Sequence, residues 1–267
     1  MPIAWLSDLH LDRASPAAVA RLHQTVRRTD ADSAICTGDT SHAKRLVDDL
    51  SRLADTVAGP LYVVLGNHDH YGDSVGAVRD ALLALGARRP EIRWLPPAGV
   101  VALPDGRHLV GVDGWADGRH GDPIGTPVTL NDDRLIAELA AEPTRVGKLA
   151  VRKVLADADA ARLDTLLGRA IEDGATELLV ATHVPPFVEC LPAGSRIAHP
   201  HWHPLLICGA TGEVLRRRAA RHPGVTFEVL AGHSHARHEA QISPNLRVRI
   251  AGARYGEPEV QGESREA

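Results

Sequence analysis

Five apolar runs of the chain each end in a short polar motif, and this recurrence constrains the fold more than any other feature. The motifs are Ser-Asp-Leu-His at 7–10, Gly-Asp-Thr at 38–40, Gly-Asn-His-Asp at 66–69, Thr-His-Val-Pro-Pro at 182–186 and Gly-His-Ser-His at 232–235. Short apolar runs that end in glycine or turn residues are typical of buried strands. In an open α/β sheet, ligands bind beyond the carboxyl ends of the strands. The sequence therefore predicts that these motifs meet at one site.

Strand and helix patterns alternate through the first part of the chain. Between the apolar runs, apolar residues recur at helical spacing, and Ser15 and Pro16 supply an N-cap and a first helical turn. The predicted strands cover 2–7, 33–37 and 61–65, and the predicted helices cover 16–26, 46–57 and 75–85. Such βαβ units predict an α/β fold with a largely parallel or mixed sheet.

The rest of the chain has a different character. We expect two strands around the Pro-Asp-Gly turn at 104–106, a loop at 114–127, and a helix over 163–171. Further strands are predicted at 177–182 and 227–231, followed by a hairpin over 238–251. The length fits one large domain or two small ones. Because no segment reads as a linker, we expect a single domain over 1–253 and a polar, frayed tail over 254–267.

Composition excludes several classes of protein. The formal net charge is −4, which gives no support for sequence-blind nucleic-acid binding, so nucleic acid is expected only as a substrate. No apolar run approaches the roughly 20 residues that span a bilayer, so no membrane partner is expected. The N-terminus lacks the pattern of a secretory signal. The odd number of cysteines without close spacing favours free thiols in a reducing compartment, so the sequence predicts a cytoplasmic protein with no particular oligomeric state.

The side chains of the polar motifs are carboxylates, imidazoles and one amide, without a thiolate. Such a set suits Mn²⁺, Fe, Zn²⁺ or another divalent ion. Any one motif alone is a weak signal, since an isolated Asp-x-His is more often a turn or a cap. Seven ligands exceed the needs of one tetrahedral ion and fit two ions that share a carboxylate. The candidate ligands are Asp8, His10, Asp39, Asn67, His183, His233 and His235.

The order of these motifs resembles that of the calcineurin-like metallophosphoesterases over residues 8–235. The resemblance implies a four-layer α-β-β-α metallophosphoesterase sandwich, with two mixed sheets flanked by helices and the site at one edge of both. It also implies two divalent metal ions, with Mn²⁺ first and Fe, Zn²⁺, Ni²⁺ or Mg²⁺ as alternatives, and Asp39 as the bridge. One ion would bind Asp8, His10, Asp39 and His235, and the other would bind Asp39, Asn67, His183 and His233.

The resemblance further assigns a catalytic role to His68. We expect the imidazole to be the general acid toward the leaving oxygen, the alternative being a simple hydrogen-bond donor behind the ligands. The phosphoprotein phosphatases of the superfamily read Gly-Asp-x-x-Asp-Arg, where this chain has His42 and Ala43. A protein phosphatase is therefore disfavoured, and the residue that orients His68 is left open. Asp69, its neighbour, is our candidate.

Candidate substrate contacts come from two places. Residues 184–204 form a long proline-rich stretch without a period, and segments of this kind are often lids or binding loops. Phe187 and Trp202 are expected to meet the organic part of a substrate, although either aromatic residue alone is more often a packing residue. Bacterial cyclic-nucleotide phosphodiesterases of the family commonly carry x-Arg after the Gly-Asn-His-Asp motif, where this chain has His70 and Tyr71, so that activity is disfavoured. His70 is a third candidate substrate contact.

The resulting functional hypothesis is a metal-dependent phosphoesterase. Its partner would be a small phosphorylated substrate, either a phosphodiester or a small phosphomonoester, cleaved through a dinuclear metal-activated hydroxide. The alternatives are a nuclease or a cyclic-nucleotide phosphodiesterase of the same family. A non-catalytic binding module on this fold is disfavoured, because the chain keeps every ligand residue of the pattern as well as His68.

Overall fold

The computed structural model describes residues 2–263. Strand bounds follow the predicted apolar runs closely in the first half of the chain. In chain order the strands are β1 (Ile3–Leu6), β2 (Ser33–Thr37), β3 (Leu61–Val64), β4 (Ile92–Trp94), β5 (Val101–Ala102), β6 (His108–Gly111), β7 (Glu177–Ala181), β8 (Thr226–Ala231), β9 (His238–Ser243), β10 (Leu246–Ile250) and β11 (Val260–Glu263).

Helices connect most of the parallel strands. The side chain of Ser15 accepts a hydrogen bond from the Ala18 amide and caps the first helix, as predicted. In chain order the helices are α1 (Pro16–Arg28), α2 (Ala43–Ala54), α3 (Val75–Arg88), α4 (Leu95–Ala98), α5 (Asp132–Leu135), α6 (Ala137–Ala140), α7 (Arg145–Glu172), α8 (His203–Leu206) and α9 (Gly209–Arg221).

The strands pair into two mixed sheets within the described residues. The first sheet has the order β11-β1-β2-β3-β4, in which only β11 runs antiparallel to its neighbour. The second sheet has the order β5-β6-β7-β8-β10-β9, with antiparallel pairing at both edges and parallel pairing between. Strands β1, β2 and β3 of the first sheet and β7 and β8 of the second lead into the five polar motifs.

Alternation along the strands builds the sheet-to-sheet interface. In β1, Ile3 and Trp5 belong to one buried apolar cluster with Leu179 and Leu230 of the second sheet. Ala4 belongs instead to the cluster on the opposite face, because successive side chains of a strand point to opposite sides. The two sheets therefore pack face to face through an apolar layer.

Helices cover the outer face of each sheet. Leu22 of α1, Leu50 of α2 and Leu82 of α3 pack on the first sheet. Leu163 of α7 and Leu215 of α9 pack on the second sheet. The result is a four-layer α-β-β-α sandwich with two mixed sheets, which confirms the predicted fold class.

Helix α7 is much longer than the predicted helix over 163–171. It spans 28 residues, and the side chain of Thr144 caps it by accepting from the Gly147 amide. Val146 and Val154 on its first half are 63% and 69% exposed. These exposed apolar residues disrupt the helical periodicity in the first half of α7. The sequence pattern therefore predicted only the second half of the helix, which packs on the sheet.

The C-terminal segment differs from the expected frayed tail. Residues 260–263 form β11, which pairs antiparallel with β1, and the Gln261 side chain is buried. The sequence Val-Gln-Gly-Glu has no apolar alternation that would predict a strand. It forms a strand because the edge of β1 offers free backbone hydrogen-bonding groups, with which β11 pairs. The remaining residues of the predicted tail, 264–267, lie outside the described residues.

Candidate metal centre

Hydrogen bonds join the loops after the strands at one edge of the sandwich, and the His233 amide, which donates to Asp8 Oδ1 at 2.9 Å, links the two sheets there. The Asp8 amide donates to the Gly38 carbonyl at 3.0 Å, and the His10 amide donates to the Asp39 carbonyl at 3.0 Å. On the second sheet, the Gly232 amide donates to the His183 carbonyl at 2.9 Å. The motifs therefore meet at one site, as predicted.

Backbone strain is concentrated in this site. Among the described residues, the non-glycine residues with positive φ are all candidate metal ligands, with φ between 42° and 68°. A left-handed conformation costs an L-residue free energy and persists where the surroundings enforce it, commonly at functional sites. These residues are Asp8, His10, Asp39, His233 and His235.

Two motif glycines allow the loops to approach one another. A Cβ atom on Gly66 would lie 2.2 Å from Asp39 Oδ1, and one on Gly232 would lie 2.1 Å from Asp8 Oδ2. Both distances are far shorter than a non-bonded contact. The glycines of the Gly-Asn-His-Asp and Gly-His-Ser-His motifs therefore give two carboxylates the space to enter the site.

Four side chains form a compact group of possible metal ligands. One ligand atom from each of Asp8, His10, Asp39 and His235 lies within 4.8 Å of the other three. The two imidazoles face each other, with 3.1 Å between His10 Nε2 and His235 Nε2. Asp8 Oδ1 lies 3.4 Å from His235 Nε2. Imidazole nitrogens and carboxylate oxygens held this close, three of the four residues being buried, fit a divalent cation.

A second group forms around the Asn67 amide oxygen. Asn67 Oδ1 lies 3.1 Å from His183 Nε2 and 3.0 Å from His233 Nδ1. The other nitrogen of each ring donates to a backbone carbonyl, His183 Nδ1 to Thr37 and His233 Nε2 to Leu205. These bonds fix both rings so that the nitrogen facing Asn67 is free to bind a cation once it is deprotonated.

The charges in the site shift the pKa values of its groups strongly. Burial alone would raise the pKa of Asp39, but the nearby charges of His183 and His68 bring it well below its usual range. Burial would lower the pKa of His183, but Asp39 raises it to about 10. Burial lowers the pKa of His10 to about 4. A proton on His183 thus offsets the buried carboxylate, and a bound cation would take over that role, since metal ions compete with protons for such ligands.

His68 lies at the edge of both groups. Its Nε2 is 4.0 Å from Asp39 Oδ2, and its backbone amide donates to Asp39 Oδ1 at 2.8 Å. The ring stacks on Tyr71 with 4.2 Å between centroids and 27° between planes. Tyr71 therefore holds the orientation of the His68 imidazole, a role that the sequence left open.

Asp69 does not orient His68, and that interpretation is wrong. The Asp69 carboxylate accepts hydrogen bonds from three backbone amides, those of Asp39 at 2.9 Å, Ser41 at 3.0 Å and Gly66 at 2.8 Å. Within residues 2–263 its carboxylate has no hydrogen bond or ion pair with the His68 ring. The buried carboxylate instead joins the loop after β2 to the loop after β3.

Sequence reasoning missed Asp132, which lies in a stretch without clear periodicity. Asp132 Oδ1 accepts from the Tyr71 hydroxyl at 2.5 Å and from Asn67 Nδ2 at 2.8 Å. Because the Asn67 nitrogen is engaged in this way, its oxygen faces the histidines. One buried carboxylate thereby positions both Asn67 and the ring that stacks on His68.

Two of the predicted substrate contacts are buried elsewhere. His70 is fully buried with its ring centroid 5.2 Å from that of Trp115, and burial lowers its pKa to about 3. Phe187 is 4% exposed in the core outside the second sheet, and the Arg216 guanidinium lies 4.6 Å above its ring. Both predictions are wrong, because these side chains are buried beneath the loops and do not border the cleft over the candidate ligands.

Trp202 lines an open cleft over the candidate ligands. The cleft has a volume of about 380 Å³ and is bordered by Asn67, His68, His233 and His235. The guanidinium of Arg196 lies 4.6 Å above the Trp202 ring and borders the same cleft. The proline-rich stretch over 184–204 thus reaches the site, as expected.

The family model of the calcineurin-like phosphoesterases matches residues 1–237. The chain belongs to this family. Among solved structures, it is similar to the phosphopantetheinyl hydrolase of Mycobacterium tuberculosis, with a TM-score of 0.64 and 16% identity over 97% of this chain and 95% of that one. It is also similar to a dimetal phosphatase of Danio rerio, with a TM-score of 0.57 and 13% identity over 94% and 87% of the two chains. No curated protein sequence matches the chain.

Family membership makes this phosphoesterase a hydrolase that acts on ester bonds. At these identities the two solved structures show the fold alone. Among the described residues, no helix is both long and apolar enough to span a membrane.

Replacing Phe187 by alanine should destabilise this phosphoesterase by about 3–5 kcal/mol, because a buried ring leaves a cavity. Denaturant unfolding of the variant measures the change. Val188→Ala is the matched control, since Val188 is only partly buried in the next position, and should cost less. If Phe187→Ala left the stability unchanged and raised KM, Phe187 would instead be a substrate contact.

Replacing Asp132 by alanine should weaken metal binding by about 10–100-fold, because the carboxylate that positions a ligand is lost. Calorimetric titration of Mn²⁺ into the metal-free protein measures this affinity. The control is Asp133→Ala, whose carboxylate pairs with Arg152 at 2.7 Å rather than with Asn67. Equal losses in both variants would show a general disturbance of α5 in place of a specific effect on Asn67.

Proposed function

We propose that this phosphoesterase hydrolyses a phosphodiester or a small phosphomonoester with two divalent cations bound at the strand ends. The position of Asp39 carries the proposal. Its Oδ2 lies 3.8 Å from His10 Nε2 in one ligand group, and its Oδ1 lies 3.4 Å from His183 Nε2 in the other. A carboxylate that faces two ligand groups in this way is suited to bridge two ions.

The two groups of donors match the proposed ions in chemical character. Asp8, His10 and His235 would complete one coordination sphere with Asp39, while Asn67, His183 and His233 would complete the other. Nitrogen and oxygen ligands without thiolate suit Mn²⁺, our first candidate, as well as Fe, Zn²⁺, Ni²⁺ or Mg²⁺. Bound cations would supply Lewis acidity that activates a water molecule near neutral pH and offsets charge on the phosphate oxygens.

We propose His68 as the proton donor to the leaving oxygen. Its side chain is 11% exposed and borders the cleft, so the ring touches both the ligand groups and the space for substrate. Stacking on Tyr71 limits rotation of the ring, with 4.2 Å between the centroids. A general acid must hold its proton within hydrogen-bonding reach of the leaving group, and the position of His68 beside the cleft supports this role.

The environment of His42 argues against a protein phosphatase. His42 Nε2 lies 3.2 Å from Asp12 Oδ2, and its ring centroid is 6.0 Å from that of His68. This position carries the aspartate of the phosphoprotein phosphatases in the motif Gly-Asp-x-x-Asp-Arg, and the arginine that follows there is Ala43 here. A phosphate group would therefore lack that arginine, which supports a small organic ester as the substrate.

Metal analysis of the reconstituted protein tests the dinuclear proposal. We expect about two Mn²⁺ ions per chain, the number that the two ligand groups can hold. Asp39→Asn should lower the occupancy of both sites because it removes the shared charge. Asp55→Asn, at an exposed position paired with Arg89, serves as the control and should keep wild-type occupancy. A stoichiometry of one ion in the wild type would contradict the proposal.

The role of His68 is tested by varying the leaving group. His68→Ala should lower kcat by about 10²–10⁴-fold while the metal content is unchanged, the usual range for loss of a general acid. The loss should be smaller for p-nitrophenyl esters than for alkyl esters, because a good leaving group needs less protonation. Steady-state kinetics on both classes of ester provide the measurement. A uniform loss across leaving groups would make His68 a stabiliser of charge instead.

A further inference from the structure

A closed loop follows the part of the chain that the family model matches. Residues 252–261 form this C-terminal loop, and the buried Gln261 amide closes its base. Gln261 Nε2 donates to the Gly252 carbonyl at 2.8 Å, while the Gly252 amide donates to Gln261 Oε1 at 3.0 Å. Arg237 also donates to the Gln261 carbonyl at 3.0 Å. The two ends of the loop are thus held together by side-chain hydrogen bonds.

The same loop is fixed to both the sheet and the metal centre. On one side it continues into β11, which pairs with β1. On the other side, the Ala253 amide donates to the carbonyl of His235 at 3.2 Å. A loop with both ends secured in this way presents its central residues at a defined position relative to the ligands.

Tyr255 is presented by this loop directly at the candidate metal centre. Its ring centroid lies 4.6 Å from that of His10, 5.3 Å from that of His235 and 6.2 Å from that of His68. The Arg13 guanidinium lies 5.2 Å over the ring. Tyr255 nevertheless remains 52% exposed and borders the same cleft as Trp202. A large ring that is half-exposed at a ligand cleft has surface left to contact a bound molecule.

Trp202 provides a second aromatic ring, anchored at the other ligand group. The Leu205 amide donates to the Trp202 carbonyl at 3.0 Å, and the Leu205 carbonyl accepts from His233 Nε2. Each histidine of the Gly-His-Ser-His motif is therefore linked by hydrogen bonds to a segment that carries one of the two aromatic rings. His233 is linked to the turn that carries Trp202, and His235 is linked to the loop that carries Tyr255. An arginine lies over each ring, Arg196 over Trp202 and Arg13 over Tyr255.

We propose that Tyr255 is a substrate-contacting residue that determines specificity, selecting phosphate esters with a planar or aromatic organic group. The inference rests on the proposed function, because it places the phosphate at the metal ligands. An aryl group attached to that phosphate can pack against the exposed part of the tyrosine ring. Arg196, which lies over the Trp202 ring and borders the cleft, makes that side of the rim attractive to an anion.

Binding of two phosphonates to the Mn²⁺-loaded protein tests the proposal without depending on catalysis. Calorimetry gives the Kd of phenylphosphonate and of methylphosphonate, which differ only in the organic group. We expect tighter binding of phenylphosphonate by the wild type. Tyr255→Ala should reduce this preference by about two- to tenfold, the range for one aromatic pair, whereas Tyr255→Phe should retain it.

Two further variants distinguish the effect of the Tyr255 ring on binding from the effect of the loop that carries it. Arg254→Ala is the matched control, because this neighbouring side chain is 85% exposed and should leave the preference unchanged. Gln261→Ala removes the closure of the loop and should weaken the preference although Tyr255 is intact. Thermal unfolding and metal content of each variant verify that fold and centre are retained.

The outcomes distinguish this inference from the proposed function. If the wild type binds neither phosphonate in the presence of Mn²⁺, the proposed function fails, and the role of Tyr255 fails with it. If both phosphonates bind and Tyr255→Ala leaves the ratio of their Kd values unchanged, only the role of Tyr255 is overturned. A preference lost in Tyr255→Ala and kept in Tyr255→Phe and Arg254→Ala supports it.

Discussion

The carboxylate of Asp39 is the group on which the organisation of the site depends. It is buried where the edges of the two sheets meet, and its Oδ1 accepts from the His68 amide while facing His183 across 3.4 Å. A charge in such surroundings is stable only with compensation by cations or hydrogen bonds. The arrangement of imidazoles around it provides that compensation, and in the proposed function two cations share it.

The loops that carry the candidate ligands keep their strained backbone conformation because contacts with neighbouring groups hold it in place. Asp39 itself has a φ of 53°, and its amide is held by the Asp69 carboxylate at 2.9 Å. Strained backbone conformations cost on the order of 1–3 kcal/mol each. The apolar layers of the sandwich supply a rigid frame for these loops and for the candidate ligands that they carry, an organisation that favours catalysis.

The convergence of the candidate ligands was predictable from the chain alone, and the residues that support them were not. Each ligand follows a buried strand, and strand ends can be read from short-range patterns. Asp132 contacts Asn67 across 65 positions, and nothing in its local sequence marks the contact. The predicted substrate contacts likewise could not be told apart from local sequence. Phe187 and Trp202 lie on one segment, yet Phe187 is buried in the core and Trp202 borders the cleft.

By itself, the sequence determined the α/β class, the place of each motif after a strand and the types of donor side chain, because these depend on apolar periodicity and on side-chain chemistry; the four-layer α-β-β-α arrangement was implied by the resemblance of the motifs to a known family. Only the tertiary structure decided which groups support the ligands and which border the substrate. Tyr71 stacks on His68, β11 pairs with β1, and Tyr255 reaches His10 from the opposite end of the chain. Such contacts arise from the packing of distant segments, whose energy is absent from any local pattern.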